Sequence, residues 1–179
     1  MLYVSNIQRT APAEYKTPLQ ELCYKALEKL QIPFERVDTD EVITMEDCAA
    51  VNEKLKMQMV KTLFLCDRKR TQFYLFVTTG NKPFRAKDFS NALGVSRLSF
   101  APVDYMEQIL GTKPGAATVF SALLDTAKKV QFVFDRDATS KQWYGCSDGT
   151  TTGYMKVETS CILDNFMSYA GHNPIRVMV

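Results

Sequence analysis

Lys61 stands inside the apolar run VKTLFLC (residues 60–66), and a lysine in that setting is the first candidate for chemistry. Strand alternation puts Lys61, Leu63 and Leu65 on one face and Val60, Thr62 and Phe64 on the other. Lysine is almost never buried without a partner. Either its head reaches water from a strand end, or it sits at the lip of a pocket, offering three donors and a charge to an anionic or carbonyl-bearing ligand. The second candidate is the turn GTKPGAATV (111–119). Gly115 lets the backbone pass close to a ligand, Ala116 and Ala117 keep side chains short, and Thr118 adds a hydroxyl. Such a loop can hold a small group through its own N–H and C=O groups and exclude larger ones for want of room. It also reads as a helix cap at Gly111, a loop and then a buried element. The third is CSDGTTTG (146–153), where Asp148-Gly149 is a turn pair and no base stands beside Ser147 to activate it. In NKPFRAK (81–87), Lys82, Arg85 and Lys87 surround Phe84, a composition that suits a phosphate-contacting lip or a solvated face.

Composition removes several alternatives. The single histidine, His172, lies in AGHNP and reads as a turn residue, so a His-based zinc site or a Ser-His-Asp triad would have to rest on it alone. The five cysteines form no C-x-x-C pair and read as free thiols. With 22 Lys+Arg against 20 Asp+Glu, net charge does not announce a nucleic-acid binder, although a local basic patch remains open. No apolar run approaches the roughly 20 residues of a membrane span, and the N-terminus lacks the pattern of a secretion signal. The expectation is a soluble, cytoplasmic protein without a membrane partner.

The elements that must position these residues follow from periodicity. Helices are expected over Glu14–Gln31, from an N-cap at Thr44 to about Lys54, over Ala86–Leu93 closed by Gly94, over Pro102–Leu110 closed by Gly111, and over Cys161–Tyr169. Strands are expected at 34–38, 60–66, 73–78, 98–101, 130–135, 154–157 and 175–179, with 60–66 and 73–78 forming a hairpin. An apolar element of unassigned type covers Thr118–Leu124. Residues 1–179 read as one α+β domain around a mixed, largely antiparallel central sheet flanked by helices. Strands and helices do not alternate as in a doubly wound fold, and no Gly-x-Gly-x-x-Gly follows a strand.

Taken together, KTLFL (61–65), FYLFV (73–77), RLSFA (97–101), LG-x-x-PG-A-A-T-V-F-x-x-L-x-D (110–125), VQFVFD (130–135) and the closing GHNP resemble the YbaK/ProX-type aminoacyl-tRNA deacylases. This is the editing superfamily associated with prolyl-tRNA synthetase, and the likeness is strongest to its free-standing ProX/PrdX branch. It runs from about residue 18 to the C-terminus. It implies trans-editing: hydrolysis of the ester between a wrong amino acid and tRNA(Pro), alanine in the ProX branch and cysteine in the YbaK branch. By the same resemblance Lys61 matches the strand lysine that helps hold the substrate's 3′ end. Gly115, Ala116, Ala117, Thr118 and Val119 would line the aminoacyl pocket with Thr62, Ser147, Thr151 and Thr152, and Lys82, Arg85 and Lys87 would contact tRNA. No metal, cofactor or side-chain nucleophile is implied. A positioned water attacks, helped by the terminal adenosine's own hydroxyl. The implied partners are aminoacylated tRNA and prolyl-tRNA synthetase; oligomeric state is left open.

The chain departs from the family pattern in three places. Thr62 stands where asparagine usually follows the lysine, and Val119 where the loop often has proline. Ser147-Asp148-Gly149-Thr150-Thr151-Thr152 replaces His-Pro-x-x-Asn-Thr, so only Thr152 survives. Two functional classes follow: a deacylase, with Ala-tRNA(Pro) as the leading substrate, and a catalytically inactive module that binds tRNA, an amino acid or a synthetase.

Overall fold

The computed structural model describes residues 1–42 and 44–179. Helix α1 (Pro18–Lys29) starts where the Thr17 hydroxyl accepts from the Gln20 N–H at 3.1 Å, with Pro18 in the first turn. Periodicity alone places the start at Glu14. The structure corrects this, because the residue before a proline is driven to extended backbone and Thr17 sits at φ −141°, ψ 156°. The helix buries Leu19, Cys23, Tyr24, Ala26 and Leu27, whereas Leu22, three residues after Leu19 and four before Ala26, is exposed. Thr44 and Asp47 exchange the expected capping bonds, but regular helix begins only at α2 (Ala49–Leu55).

The remaining elements are β1 (Glu35–Asp38), β2 (Val60–Cys66), β3 (Phe73–Thr79), α3 (Ala86–Leu93), β4 (Ser99–Phe100) and α4 (Val103–Tyr105), which runs into a π-helical turn (Met106–Leu110). A 3-10 helix (Val119–Leu123), β5 (Val130–Asp135), α5 (Arg136–Thr139), β6 (Trp143–Ser147) and β7 (Gly153–Glu158) follow. A π-helical segment (Cys161–Phe166) leads into α6 (Met167–Tyr169), and β8 (Ile175–Val177) closes the fold.

The α+β class and the mixed pairing hold, but the strands divide between two sheets. One has the order β4-β2-β3-β5-β8 and the other β1-β7-β6. Pairing is antiparallel throughout the smaller sheet and for β4-β2-β3, and parallel for β3-β5 and β5-β8. A parallel bridge between Met59 and Gly145 joins the two sheets where β2 begins. The large sheet is covered on both faces. Leu75, Val77, Phe132 and Phe134 face α1 and the 161–166 helix, while Leu65, Phe76 and Val133 face α3. Phe89 of α3 is fully buried, its ring 4.4 Å from that of Phe76, a burial worth about 2–3 kcal/mol. The small sheet packs on α2 through Val37, Val51, Leu55 and Tyr154. Among the described residues no helix is long and apolar enough to cross a membrane.

Candidate active site

Strand β4 covers β2 only at Leu65 and Cys66, and the Met59–Gly145 bridge holds the other end. Between these points the outer edge of β2 is open, and a cavity of about 270 Å³ lies against it. Val60, Lys61, Thr62 and Leu63 all line this cavity although their side chains alternate between faces, so the space straddles the strand's edge. Gly115 and Ala117 form a second wall, Cys146, Ser147 and Tyr154 a third, and Met45, Cys48, Met59 and Met106 add thioethers and a thiol. Lys61 is half-buried and its ammonium donates to the Lys82 carbonyl. No carboxylate pairs with it among the described residues, and desolvation lowers its pKa from the usual lysine value.

Two chain segments shape the cavity and are locked to each other. The Thr118 hydroxyl donates to the Ser147 carbonyl at 2.7 Å and accepts from the Phe120 N–H, capping the 3-10 helix. The Ser147 hydroxyl donates to the Thr150 carbonyl at 2.6 Å and accepts from the Gly149 N–H at 3.0 Å. Beneath this turn Asp148, 1% exposed, accepts from Gln20 Nε2 (2.8 Å), the Tyr24 hydroxyl (2.8 Å), and the Thr150 N–H and hydroxyl (3.1 and 2.7 Å). Burial pushes its carboxyl above the usual range, while those donors pull the other way. Gly153 is glycine for a local reason: a Cβ there would lie 2.2 Å from Asp148 Oδ2.

The structure therefore sorts the sequence candidates. Lys61, Thr62, Gly115, Ala117 and Ser147 meet at one cavity. Ala116, Thr151 and Thr152 face a neighbouring depression of about 480 Å³, shared with Lys16, Thr112 and Lys113. Thr118 and Val119 are fully buried, so neither presents a side chain to a ligand; Thr118 acts as a cap and Val119 packs in the core. Lys82 is engaged elsewhere: its ammonium contacts Asp135 (2.7 Å), Asp137 (2.6 Å) and the Val179 carbonyl (2.7 Å), which uses all three of its donors. Arg85 and Lys87 are exposed on a separate groove beside α3, together with Arg97. His172 is buried edge-on against Phe132 at 4.7 Å, in keeping with a structural post.

The family model for the aminoacyl-tRNA editing domain matches residues 39–163, most of the chain and the whole of this cavity. The chain belongs to the aminoacyl-tRNA editing domain family. Among its relatives, the prolyl-tRNA editing protein ProX of Acetoanaerobium sticklandii is 30% identical over 115 residues, covering 64% of this chain and 70% of that one. The prolyl-tRNA synthetase associated domain-containing protein 1 of Danio rerio is 27% identical over 167 residues, 92% of this chain and 88% of that one. A solved structure presented as a candidate trans-editing enzyme for prolyl tRNA synthetase superposes with a TM-score of 0.64 at 15% identity, covering 92% of this chain and 99% of that one. At that identity the likeness speaks for the fold.

Within this editing domain the side-chain chemistry at the cavity is narrow. Among the described residues its lining includes no Asp, Glu or His. Burial pushes the Cys48 thiol up to about 11 and raises the Cys146 thiol and the Tyr154 phenol above their usual values, so none ionises near neutral pH. The Thr44 and Ser147 hydroxyls donate to Asp47 and to the Thr150 carbonyl, which leaves one ammonium, the Thr62 hydroxyl and the backbone. Sequence reasoning missed Met45, Cys48, Met59, Met106 and Tyr154 as lining residues, and Asp148 as the anchor of the turn. The S-D-G-T spacing was the usable signal for Asp148, since an Asp side chain bonds the N–H two residues on.

Proposed function

We propose that this editing domain hydrolyses the ester of a mischarged aminoacyl-tRNA, with alanine on tRNA(Pro) as the preferred substrate, in trans to prolyl-tRNA synthetase. The observation that carries this reading is the small cavity at the β2 edge. At about 270 Å³ it lies just below the size range of drug-sized ligand sites, enough for a methyl side chain and its ester. In this reading proline is rejected by size at the wall formed by Gly115 and Ala117, where a ring held by the same ester would overpack the main chain. The Acetoanaerobium relative, a prolyl-tRNA editing protein, supports tRNA(Pro) as the carrier.

Hydrolysis needs a water to attack the acyl carbon, the bond from that carbon to the ribose oxygen to break, and a proton to reach the departing oxygen. Among the described residues no carboxylate or imidazole lines the cavity to move that proton. The adenosine hydroxyl next to the ester takes that role in this reading and orients the water. Lys61 leaves the Lys82 carbonyl to hold the 3′ end. Ala116, Thr151 and Thr152, with Lys16 and Lys113, receive the terminal nucleotide in the adjoining depression. Arg85 and Lys87 meet phosphates further along the acceptor stem. The test is a time course with Ala-, Cys-, Ser- and Pro-tRNA(Pro). Selective loss of the alanyl ester is the expected result, and stability of all four retires the reading. In the latter case saturable binding without cleavage identifies the inactive module, which the engagement of the Ser147 and Thr118 hydroxyls favours.

A further inference from the structure

We infer that the main chain of Thr62, rather than any side chain, holds the aminoacyl group, its carbonyl taking the α-ammonium and its N–H the acyl oxygen. The inference rests on the deacylase reading only for the identity of the occupant.

In an antiparallel ladder a residue points its N–H and C=O to the same neighbour, and the next residue points both to the opposite side. Phe64 faces outward from β3, because its carbonyl accepts from the Ala101 N–H beyond β4 at 2.9 Å. Lys61, Leu63 and Leu65 therefore bond to β3, and Val60, Thr62 and Phe64 point the other way. Phe64 is used there by the chain leaving β4, and the start of the strand is joined to Gly145 through Met59. Thr62 lies between them, where the cavity occupies the place of a neighbouring strand. The Ser147 carbonyl accepts from the Thr118 hydroxyl. Among the described residues no strand pairs with β2 at Thr62 on its outward side, and no loop N–H or C=O bonds to Thr62 there.

A main-chain donor and acceptor left without a strand partner at the wall of a small cavity can take a ligand as their complement. The complement of one strand residue is another: a donor and an acceptor separated by a single Cα. An aminoacyl ester has that arrangement, with an ammonium on one side of its Cα and a carbonyl on the other. The ammonium needs an acceptor, which the outward carbonyl of Thr62 supplies. The acyl oxygen needs a donor that strengthens as negative charge develops there, which a fixed N–H supplies. Docked this way the side chain projects from the strand edge toward one face, and its size is read by the walls.

The probes are stable amides of 3′-amino-3′-deoxyadenosine carrying alanyl, lactyl or propionyl groups. Lactyl replaces the ammonium by a hydroxyl, and propionyl deletes it. Titration into the intact protein, followed by backbone amide NMR, is expected to show the alanyl amide at least about tenfold tighter than either analogue, with the Thr62 amide among the most shifted resonances. Equal affinities, absence of binding by all three, or ammonium-dependent binding that leaves the Thr62 amide unmoved would each overturn the assignment. A parallel time course with Ala-tRNA(Pro) keeps the two readings apart. Ammonium-dependent binding at Thr62 with an intact ester supports the anchor while ending the deacylase reading.

Discussion

Replacing Gly153 by alanine tests whether the Asp148 network sets the geometry of the site. The new Cβ would sit 2.2 Å from Oδ2 of Asp148, and 2.7 Å from its Cγ and Oδ1. A carboxylate on the surface would swing aside. This one is held by Gln20, Tyr24 and two groups of Thr150 in a site 1% exposed, so moving it breaks bonds as well as contacts. Overpacking a tight site costs about 1–3 kcal/mol, and one disrupted buried hydrogen bond adds about 1 kcal/mol or more. Gly153→Ala should therefore destabilise by about 3 kcal/mol. At about 2–4 °C per kcal/mol for a chain of this size, the melting temperature should fall by about 6–12 °C.

A double-mutant cycle decides the cause. Asp148→Ala removes the obstacle, and by orphaning several buried donors costs about 3 kcal/mol itself. In that background Gly153→Ala should be neutral or stabilising by about 0.5 kcal/mol, because alanine suits a strand better than glycine. The expected coupling is thus about 3 kcal/mol between two residues in contact, read from urea midpoints of the four proteins. Additive costs would mean that Gly153 is required for some reason other than Asp148, and the argument for a locked turn would fail.

Other changes separate site from scaffold. Lys61→Ala should abolish hydrolysis of the alanyl ester while the melting temperature stays within a few degrees; deacylation at the wild-type rate refutes its assigned role. Ala117→Leu should fill much of the cavity and cut the rate by at least about tenfold without unfolding the chain, since its side chain is only partly buried and the space beside it is empty. Lys82→Met leaves Asp135, fully buried, without its cation and should cost about 3–5 kcal/mol, whereas Arg85→Ala should stay within about 0.5 kcal/mol and act on tRNA affinity alone. Burial lowers the pKa of His172, so below about pH 6.5 the unfolded chain takes up a proton that the folded chain resists, and stability falls as pH falls through that window. The raised pKa of Asp148 acts in the opposite sense on acidification. The stability difference between wild type and His172→Phe, measured from pH 7.5 to 5, isolates the histidine and should shrink or reverse toward the acid end.

The hairpin of β2 and β3 was legible because VKTLFLC and FYLFVT are apolar or β-branched on both faces, as a strand covered on both sides requires. The cap at Gly111 was legible because only a residue tolerant of φ +67° ends the helix there. Strand β6 was not: WYGCS is short, and a glycine interrupts it where the Met57 side chain comes close, a contact between residues far apart in sequence. The division into two sheets was equally hidden, since it turns on where pairing stops rather than on which residues favour strands. At the site, sequence reasoning grouped Gly115 to Val119 as one lining. The backbone instead turns successive residues to different places: Gly115 and Ala117 to the cavity, Ala116 to the adjoining depression, and Thr118 and Val119 inward. Lys82 looked free because its carboxylate partners lie more than fifty residues along the chain.

The same division explains how the family's usual asparagine can be Thr62 here, and its His-Pro-x-x-Asn-Thr stretch Ser147 to Thr152, while the cavity persists. Groups that hold a ligand through the main chain are indifferent to the side chain at that position, provided the backbone keeps its path. In this chain the path is held from behind. Thr118 ties the loop to Ser147, Ser147 closes its own turn on Thr150, and Asp148 fastens that turn to α1 through Gln20 and Tyr24. With the proposed main-chain hold on the ligand, side chains that face the cavity can change and reset its volume. Those that face away from it, Thr118 and Asp148, are the ones whose loss should be felt by every substrate alike.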